Sequence, residues 1–480
     1  MNDAPDPGVR WGWLAVGSVA AAAMLISPWR LLSTDAFLAL SCGREIAAHG
    51  LPKVDTLTYQ TLGHVWTDQQ WLAQWFLYEV EHLFGLRLTL VVDALVTAWA
   101  FAMCAGYAIR RGASQAAALV CGIAGFGIGM TFFTLRPQTF SLVGFGALLV
   151  LLGDDVRAPS RRVWWVLPIL ALGANLHGVD ILGAMLVGLR GWFDVIGGLR
   201  ARDIRRAGRG VALGFLAAAT PFATPYARAL PRYLHEIGRL QDPVRALPIL
   251  EWNRVQWPDD WPFFSIFAAM LILLFVVHKW KLSRPSLWET LVIAITGLAA
   301  WQASRHLQWF GLALAAYGPV ALDATPPLQH GRVLGRVASL VRVLGPLAFV
   351  GLVARILVIS DAKLENIYSL DVLAPLARAA SDNPSSPIAI SDVYADWALW
   401  YLPELRGRIE TDVRFELLDD AQARAMGAFL YAKPGWQSVY REAHVVLVSR
   451  HQHKELDKAI VKEPGARVVF QDKLATLVVR

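Results

Sequence analysis

The sequence predicts an α-helical polytopic membrane protein, with about 11 transmembrane helices, that carries a small C-terminal α/β domain. Three observations lead there. Apolar segments recur from residue 11 to residue 359, many close to the roughly 20 residues that cross a hydrocarbon layer. Charged residues make up 17% of the chain, where a soluble protein carries about 25%. Beyond residue 359 the pattern changes to short β-type runs alternating with helical stretches. A soluble enzyme or a DNA-binding protein is excluded by the first two.

The eleven segments lie at about 11–31, 88–109, 113–134, 137–153, 163–176, 179–198, 208–226, 262–279, 286–303, 306–322 and 339–359. Tryptophans cluster at their ends (Trp11, Trp29, Trp164, Trp165, Trp261, Trp280), where amphipathic rings anchor at a membrane interface. The first segment lacks an A-x-A-like cleavage site and reads as a retained helix.

Charge sets the topology. The short connections after segments 2, 4, 6, 8 and 10 hold 16 Lys and Arg. The positive-inside rule puts that side and the N-terminus in the cytoplasm. An odd number of crossings then places the C-terminal domain outside. Residues 1–359 carry a net +9 and residues 360–480 a net −2, so the basic excess belongs to the membrane part and calls for no nucleic acid. The expected division is a transmembrane domain over 1–359 and an extracytoplasmic α/β domain over 360–480.

The first outer loop, 32–87, reads as two interfacial helices. One runs from Asp35 to about His49 and stops at Gly50-Leu51-Pro52. The other runs from Asp68 to about Phe84, with Leu72, Trp75, Phe76, Val80 and Leu83 at near-helical spacing. Segments 4 and 5 are short, so the turns at Arg136-Pro137-Gln138 and Asn175-Leu176-His177-Gly178 are expected below the outer surface, lining a wet cleft. In the outer domain, strands are expected at 388–391, 445–449, 467–470 and 475–479, and helices at 370–380, 396–402 and 419–431. Cys104 and Cys121 lie in apolar runs and Cys42 in a loop, with no disulfide framework or metal motif among them.

Acids and bases gather on the outer side of this topology. Asp35 and Asp55 stand in the first loop, Arg136 and Gln138 at the second turn, and Asn175, His177 and Asp180 at the third. Tyr226 ends segment 7, Glu251 lies in the fourth connection, and Arg305-His306 forms the fifth. Such a set suggests a reaction or binding site. Transfer from a lipid-linked phosphate donor fits it. A carboxylate can accept the proton of an attacking hydroxyl, and arginine can neutralise a departing phosphate. Each residue also has a structural reading: Asp35 as a helix cap, His177 as a buried core histidine, Arg305-His306 as a cap between segments. Asp93 in segment 2 is costly in lipid and calls for a partner within the bundle.

With those residues in view, the sequence resembles the GT-C superfamily of membrane glycosyltransferases, in a bacterial subgroup with four recurring stretches. The first is Thr34-Asp35 through Gly43-Arg44-Glu45-Ile46, His49-Gly50-Leu51-Pro52 and Asp55. The second runs from Trp66 to Trp71-Leu72-Ala73. The third is Arg136-Pro137-Gln138 with Asn175-Leu176-His177-Gly178. The last runs from Asp392 to Trp397, then Arg408 to Asp412 and Arg414.

The resemblance implies a polyprenyl-phosphate sugar as donor and a glycan, lipid-linked glycan or protein as acceptor. It places the protein in the bacterial inner membrane with its outer domain in the periplasm. Asp35 would be the catalytic base, with Asp55 as a second acid, and some members hold a divalent cation (Mg, Mn or Ca) near that base. Asp412 and Arg414 are acceptor-side candidates or an internal salt bridge. Ala39 stands where relatives often have histidine, and Gln69-Gln70 where they often have His-Glu. Those departures keep two alternatives open, a non-catalytic envelope scaffold or glycan-binding partner and, more distantly, a lipid-carrier flippase.

Overall fold

The computed structural model describes residues 11–178, 180–239, 250–280, 286–324, 332–439 and 442–480. The chain divides into two compact units. One takes Met1–Ser27, Leu86–Ala227 and Glu251–Leu357; the other takes Pro28–Gly85, Arg228–Leu250 and Val358–Arg480. The first outer loop thus groups with the C-terminal residues.

The first unit is helical, and a helix occupies each of the eleven apolar segments. Among the described residues six helices are long and apolar enough to cross a membrane, and Gly12–Ile26 and Leu287–Gln302 are shorter apolar helices. The helix Gln138–Arg157 has 20 residues and is not the short segment expected at 137–153. Its charged C-terminal turn stays helical because Asp155 is buried there and pairs with Arg190 at 2.8 Å and with Arg209. The helix Val166–Leu176, with 11 residues, is short as expected.

Small residues let these helices meet closely. A Cβ on Gly125 would lie 2.3 Å from the Gly311 carbonyl oxygen, and one on Gly311 would lie 2.2 Å from that of Gly125. The helices Gln115–Gly129 and Leu307–Leu322 therefore touch backbone to backbone. Asp93 finds its partner in the bundle, accepting a 2.7 Å hydrogen bond from the Thr139 hydroxyl.

Buried acids fix several arginines of the basic connections. Glu289 takes Arg111 at 3.0 Å and Arg157 at 2.8 Å. Asp194 takes Arg190 at 2.7 Å and Arg209 at 2.6 Å. Arg136 and Arg157 flank opposite ends of one helix, and 20 residues of helix rise about 30 Å. The basic network and the Arg136 turn thus occupy opposite ends of the bundle.

The second unit holds a four-stranded sheet in the order β1-β2-β4-β3, with β1 Ile388–Ile390, β2 Val445–Ser449, β3 Arg467–Gln471 and β4 Ala475–Val479. β1 and β2 are parallel and the other pairs antiparallel. The parallel pair needs a long crossover, which the helices Asp392–Tyr401 and Asp420–Leu430 supply. The core gathers Ala389, Met426, Phe429, Val446, Val448 and Val478. The helix Thr34–His49 matches its expected span and contains Cys42, which is buried in it rather than lying in a loop. The helix that starts at Trp71 breaks at Gly85, whose φ is 76°; the first unit resumes at Leu86.

Candidate functional site

In the helical unit four residues from four connections meet. Arg136 precedes the helix Gln138–Arg157. His177 caps the C-terminus of Val166–Leu176. Glu251 sits in a short turn with Trp252, and Arg305 in the turn Ser304–His306. The Glu251 carboxylate accepts from Arg136 at 2.9 Å and lies 3.5 Å from Arg305. Burial alone would raise the Glu251 carboxyl, but Arg136 and Arg305 outweigh it and hold it below the ordinary glutamate range. The Arg305 guanidinium lies 4.2 Å over the Trp252 ring. Ser304 ties this turn to the Glu251 segment, its hydroxyl donating to the Glu251 carbonyl at 3.2 Å and its N–H to the Asn253 carbonyl at 3.0 Å.

Two arginines therefore share the Glu251 carboxylate. Arg305 also donates to Nε2 of His177 at 3.2 Å. An arginine has only donors, so that nitrogen is the lone-pair side and the ring proton sits on Nδ1. Burial, then Arg305 and Arg136, push the His177 imidazole well below its usual range, so it is neutral. Among the described residues the buried Nδ1 atoms of His177 and His306 meet no hydrogen-bond partner. Arginines fixed by an acid, beside a neutral N–H donor, are a set that can receive an anion.

The remaining residues expected in this group take other places. Asn175 spends its amide protons on the carbonyls of Ala171 at 2.9 Å and Ala223 at 2.8 Å, latching the turn that presents His177. Gln138 is buried at the start of its helix. The Tyr226 N–H donates to the Thr224 hydroxyl at 3.4 Å. The side chain of Asp180 lies outside the described residues. Trp252 was missed, since no spacing in the sequence sets it against Arg305.

In the second unit Asp35 lies in the first turn of Thr34–His49, half-buried. Ser33 occupies the N-cap position, so Asp35 is not the cap residue. Asp55 is fully buried and both of its oxygens are engaged. It accepts from the Leu57 N–H at 2.9 Å and from the hydroxyls of Thr58 and Thr61 at 2.6 Å each, and it pairs with Arg414 at 2.8 Å. Arg414 also grips Asp412 at 2.6 Å and lies 4.4 Å over the Trp66 ring.

Desolvation pushes the Asp55 carboxyl up, and Arg414 with the two threonines more than reverses this, leaving it below the usual range. Asp68 and Asp396 are buried nearby, and Glu416 is half-buried. Burial raises Asp68 and Glu416 to about 7, and it pushes Asp396 well above the usual carboxylate range, with Asp412 as its second cause.

The motif residues of the first loop serve as fasteners. Arg44 donates to the Trp400 carbonyl at 2.9 Å and the Leu399 carbonyl at 2.7 Å, capping the helix Asp392–Tyr401. Glu45 pairs with Arg406 at 2.7 Å. Arg239 grips Asp420 with two 2.6 Å hydrogen bonds, a contact no motif announced. Among the described residues no group of three or more His, Cys, Asp or Glu has a metal-holding arrangement.

The fold matches ArnT from Cupriavidus metallidurans in the apo state, with TM-score 0.55 and 15% identity over 96% of this chain and 97% of that one. The same protein bound to undecaprenyl phosphate matches at TM-score 0.55 and 16% identity, over 97% of each chain. The Archaeoglobus fulgidus oligosaccharyltransferase in the apo form matches at TM-score 0.56 and 13% identity, over 92% of this chain and 69% of that one. Neither a protein-family model nor a curated protein sequence matches the chain. The chain has the fold of the GT-C membrane glycosyltransferases, as its resemblance implied.

Proposed function

We propose that the chain is a membrane glycosyltransferase. It moves one sugar from a polyprenyl-phosphate donor to an acceptor hydroxyl on the outer face of the cytoplasmic membrane. The observation that carries this reading is the pairing of Arg136 and Arg305 with the Glu251 carboxylate, beside the neutral His177. That set suits a lipid phosphate, because charge-assisted donors held by a half-buried acid need little reorganisation when the anion arrives. Two of the matching structures were solved with undecaprenyl phosphate and with dolichol-phosphate.

In this reading Asp35 accepts the proton of the acceptor hydroxyl. The acceptor oxygen bonds to the anomeric carbon as the bond from that carbon to the phosphate oxygen breaks. The electron pair leaves with the polyprenyl phosphate, and attack from the opposite face inverts the anomeric configuration. Asp55 and Asp412 position Arg414 and the first loop and do not touch substrate. Eleven crossings, a cytoplasmic N-terminus and a periplasmic C-terminal domain complete the proposal.

The test is transfer itself. Purified protein is mixed with a radiolabelled polyprenyl-phosphate sugar and a crude envelope acceptor. Label should move to the acceptor with the wild type, and Arg305→Met should weaken the donor's half-saturation by about tenfold or more. Donor binding without transfer to any acceptor would overturn the proposal in favour of a scaffold.

A further inference from the structure

The second unit carries a polar cleft of about 360 Å³ lined by Tyr59, the turn 383–387, Glu442 and His444. Two distant parts of the sequence build it. The Tyr59 N–H donates to the Ile409 carbonyl at 2.7 Å and the Gln60 N–H to the Glu410 carbonyl at 3.0 Å. Through the bridges Thr58–Ile409 and Ile388–Ile409 the loop extends the β1 edge of the sheet.

The opposite wall is equally fixed. Arg408 donates to the carbonyls of Ala380, Asn383 and Ser386 at 3.0, 2.7 and 3.2 Å, pinning the turn. The Ser386 hydroxyl donates to the Glu442 carbonyl at 3.0 Å and accepts from the His444 N–H at 2.8 Å. The groups facing out are Tyr59, 40% exposed, the Glu442 carboxylate, which accepts from the Tyr59 hydroxyl at 3.4 Å, and the His444 imidazole.

We propose that this cleft binds a hydroxyl-rich glycan segment of the acceptor, a reading that rests on the transferase function above. An exposed aromatic ring offers a flat apolar face to the C–H side of a pyranose. A carboxylate beside it accepts from neighbouring sugar hydroxyls, and an imidazole can both donate and accept. The same carboxylate disfavours an anion such as a phosphate. The polar lining gives a lipid tail no wall to bury against. Preformed walls keep the ordering cost of binding low.

Acceptor and donor half-saturation are measured with the full-length protein for Tyr59→Ala, Tyr59→Phe and Glu442→Gln, beside thermal melts. Tyr59→Ala should raise the acceptor half-saturation about tenfold and leave the donor value and the melt unchanged. Glu442→Gln should do the same more weakly, and Tyr59→Phe, which keeps the ring, should stay near wild type. Transfer with unchanged acceptor half-saturation in Tyr59→Ala and Glu442→Gln would overturn the cleft and leave the transferase standing. If the wild type transfers nothing, the transferase reading fails, and saturation-transfer NMR with maltopentaose and chitopentaose decides the cleft by itself. Signal lost in Tyr59→Ala supports it, and no signal with the wild type overturns it.

Discussion

Asp55 and Arg414 meet at 2.8 Å in a fully buried ion pair that joins the first outer loop to the C-terminal α/β domain. Both residues belong to stretches that the sequence marks as functional, and both are spent on each other. Arg414 also serves Asp412. Removing the guanidinium strands two buried carboxylates at once, and breaking one side of a buried pair costs about 3–5 kcal/mol. Arg414→Met should therefore lower the thermal midpoint sharply, and Asp55→Asn less, because the amide keeps part of the hydrogen-bond set. A melt in detergent by size-exclusion detection compares them; an unchanged midpoint for Arg414→Met would remove the fastening role.

A second prediction concerns helix contact. A Cβ on Gly43 would stand 2.2 Å from the Gln74 carbonyl oxygen and 2.6 Å from the Tyr78 Cβ. Backbone cannot yield there as a flexible side chain could, so Gly43→Ala should cost at least the ~1–3 kcal/mol of ordinary overpacking. Proteolysis within the loop 50–70 should accelerate in this variant.

Acid dependence divides by sign. Asp68 is raised to about 7 by burial. The native state therefore holds a proton that the unfolded chain has released, and stability from this group is present below the unfolded carboxylate range and fades as pH climbs through about 7. Local hydrogen-exchange protection of 55–68 should fall between pH 5 and 8, and Asp68→Asn should flatten that fall. Protection that rises with pH would contradict the assignment.

His177 runs the other way. Its imidazole is held neutral, so protonation opposes the native arrangement, and stability drops as pH falls below the ordinary histidine range. Glu251, depressed by its two arginines, loses its contribution only at still lower pH. Thermal stability should thus decline on acidification toward pH 5, and His177→Asn should remove the step. A step that persists in His177→Asn would place the titration elsewhere.

Much of the fold was legible because length and turn chemistry speak locally. All four strands lie within a residue or so of their expected spans, and the loop helix ends at Gly50 as expected. The helix Lys454–Val461 escaped notice because a charged octapeptide shows only Leu456 and Ile460 as buried apolar residues. The site was legible by residue type at turns, which marked Arg136, His177, Glu251 and Arg305. Roles were not, because they depend on partners far along the chain. Nothing near Asp55 in sequence announces Arg414, and nothing near Arg305 announces Trp252.

The central claim is that Asp35 is the base of a transfer reaction, and one comparison tests it most directly. Wild type and Asp35→Asn are assayed side by side for binding of undecaprenyl phosphate and for transfer of label from a polyprenyl-phosphate sugar to an envelope acceptor. The account predicts equal lipid-phosphate binding and a loss of turnover of about 10²–10⁴-fold in the variant. Turnover in Asp35→Asn equal to that of the wild type would contradict it.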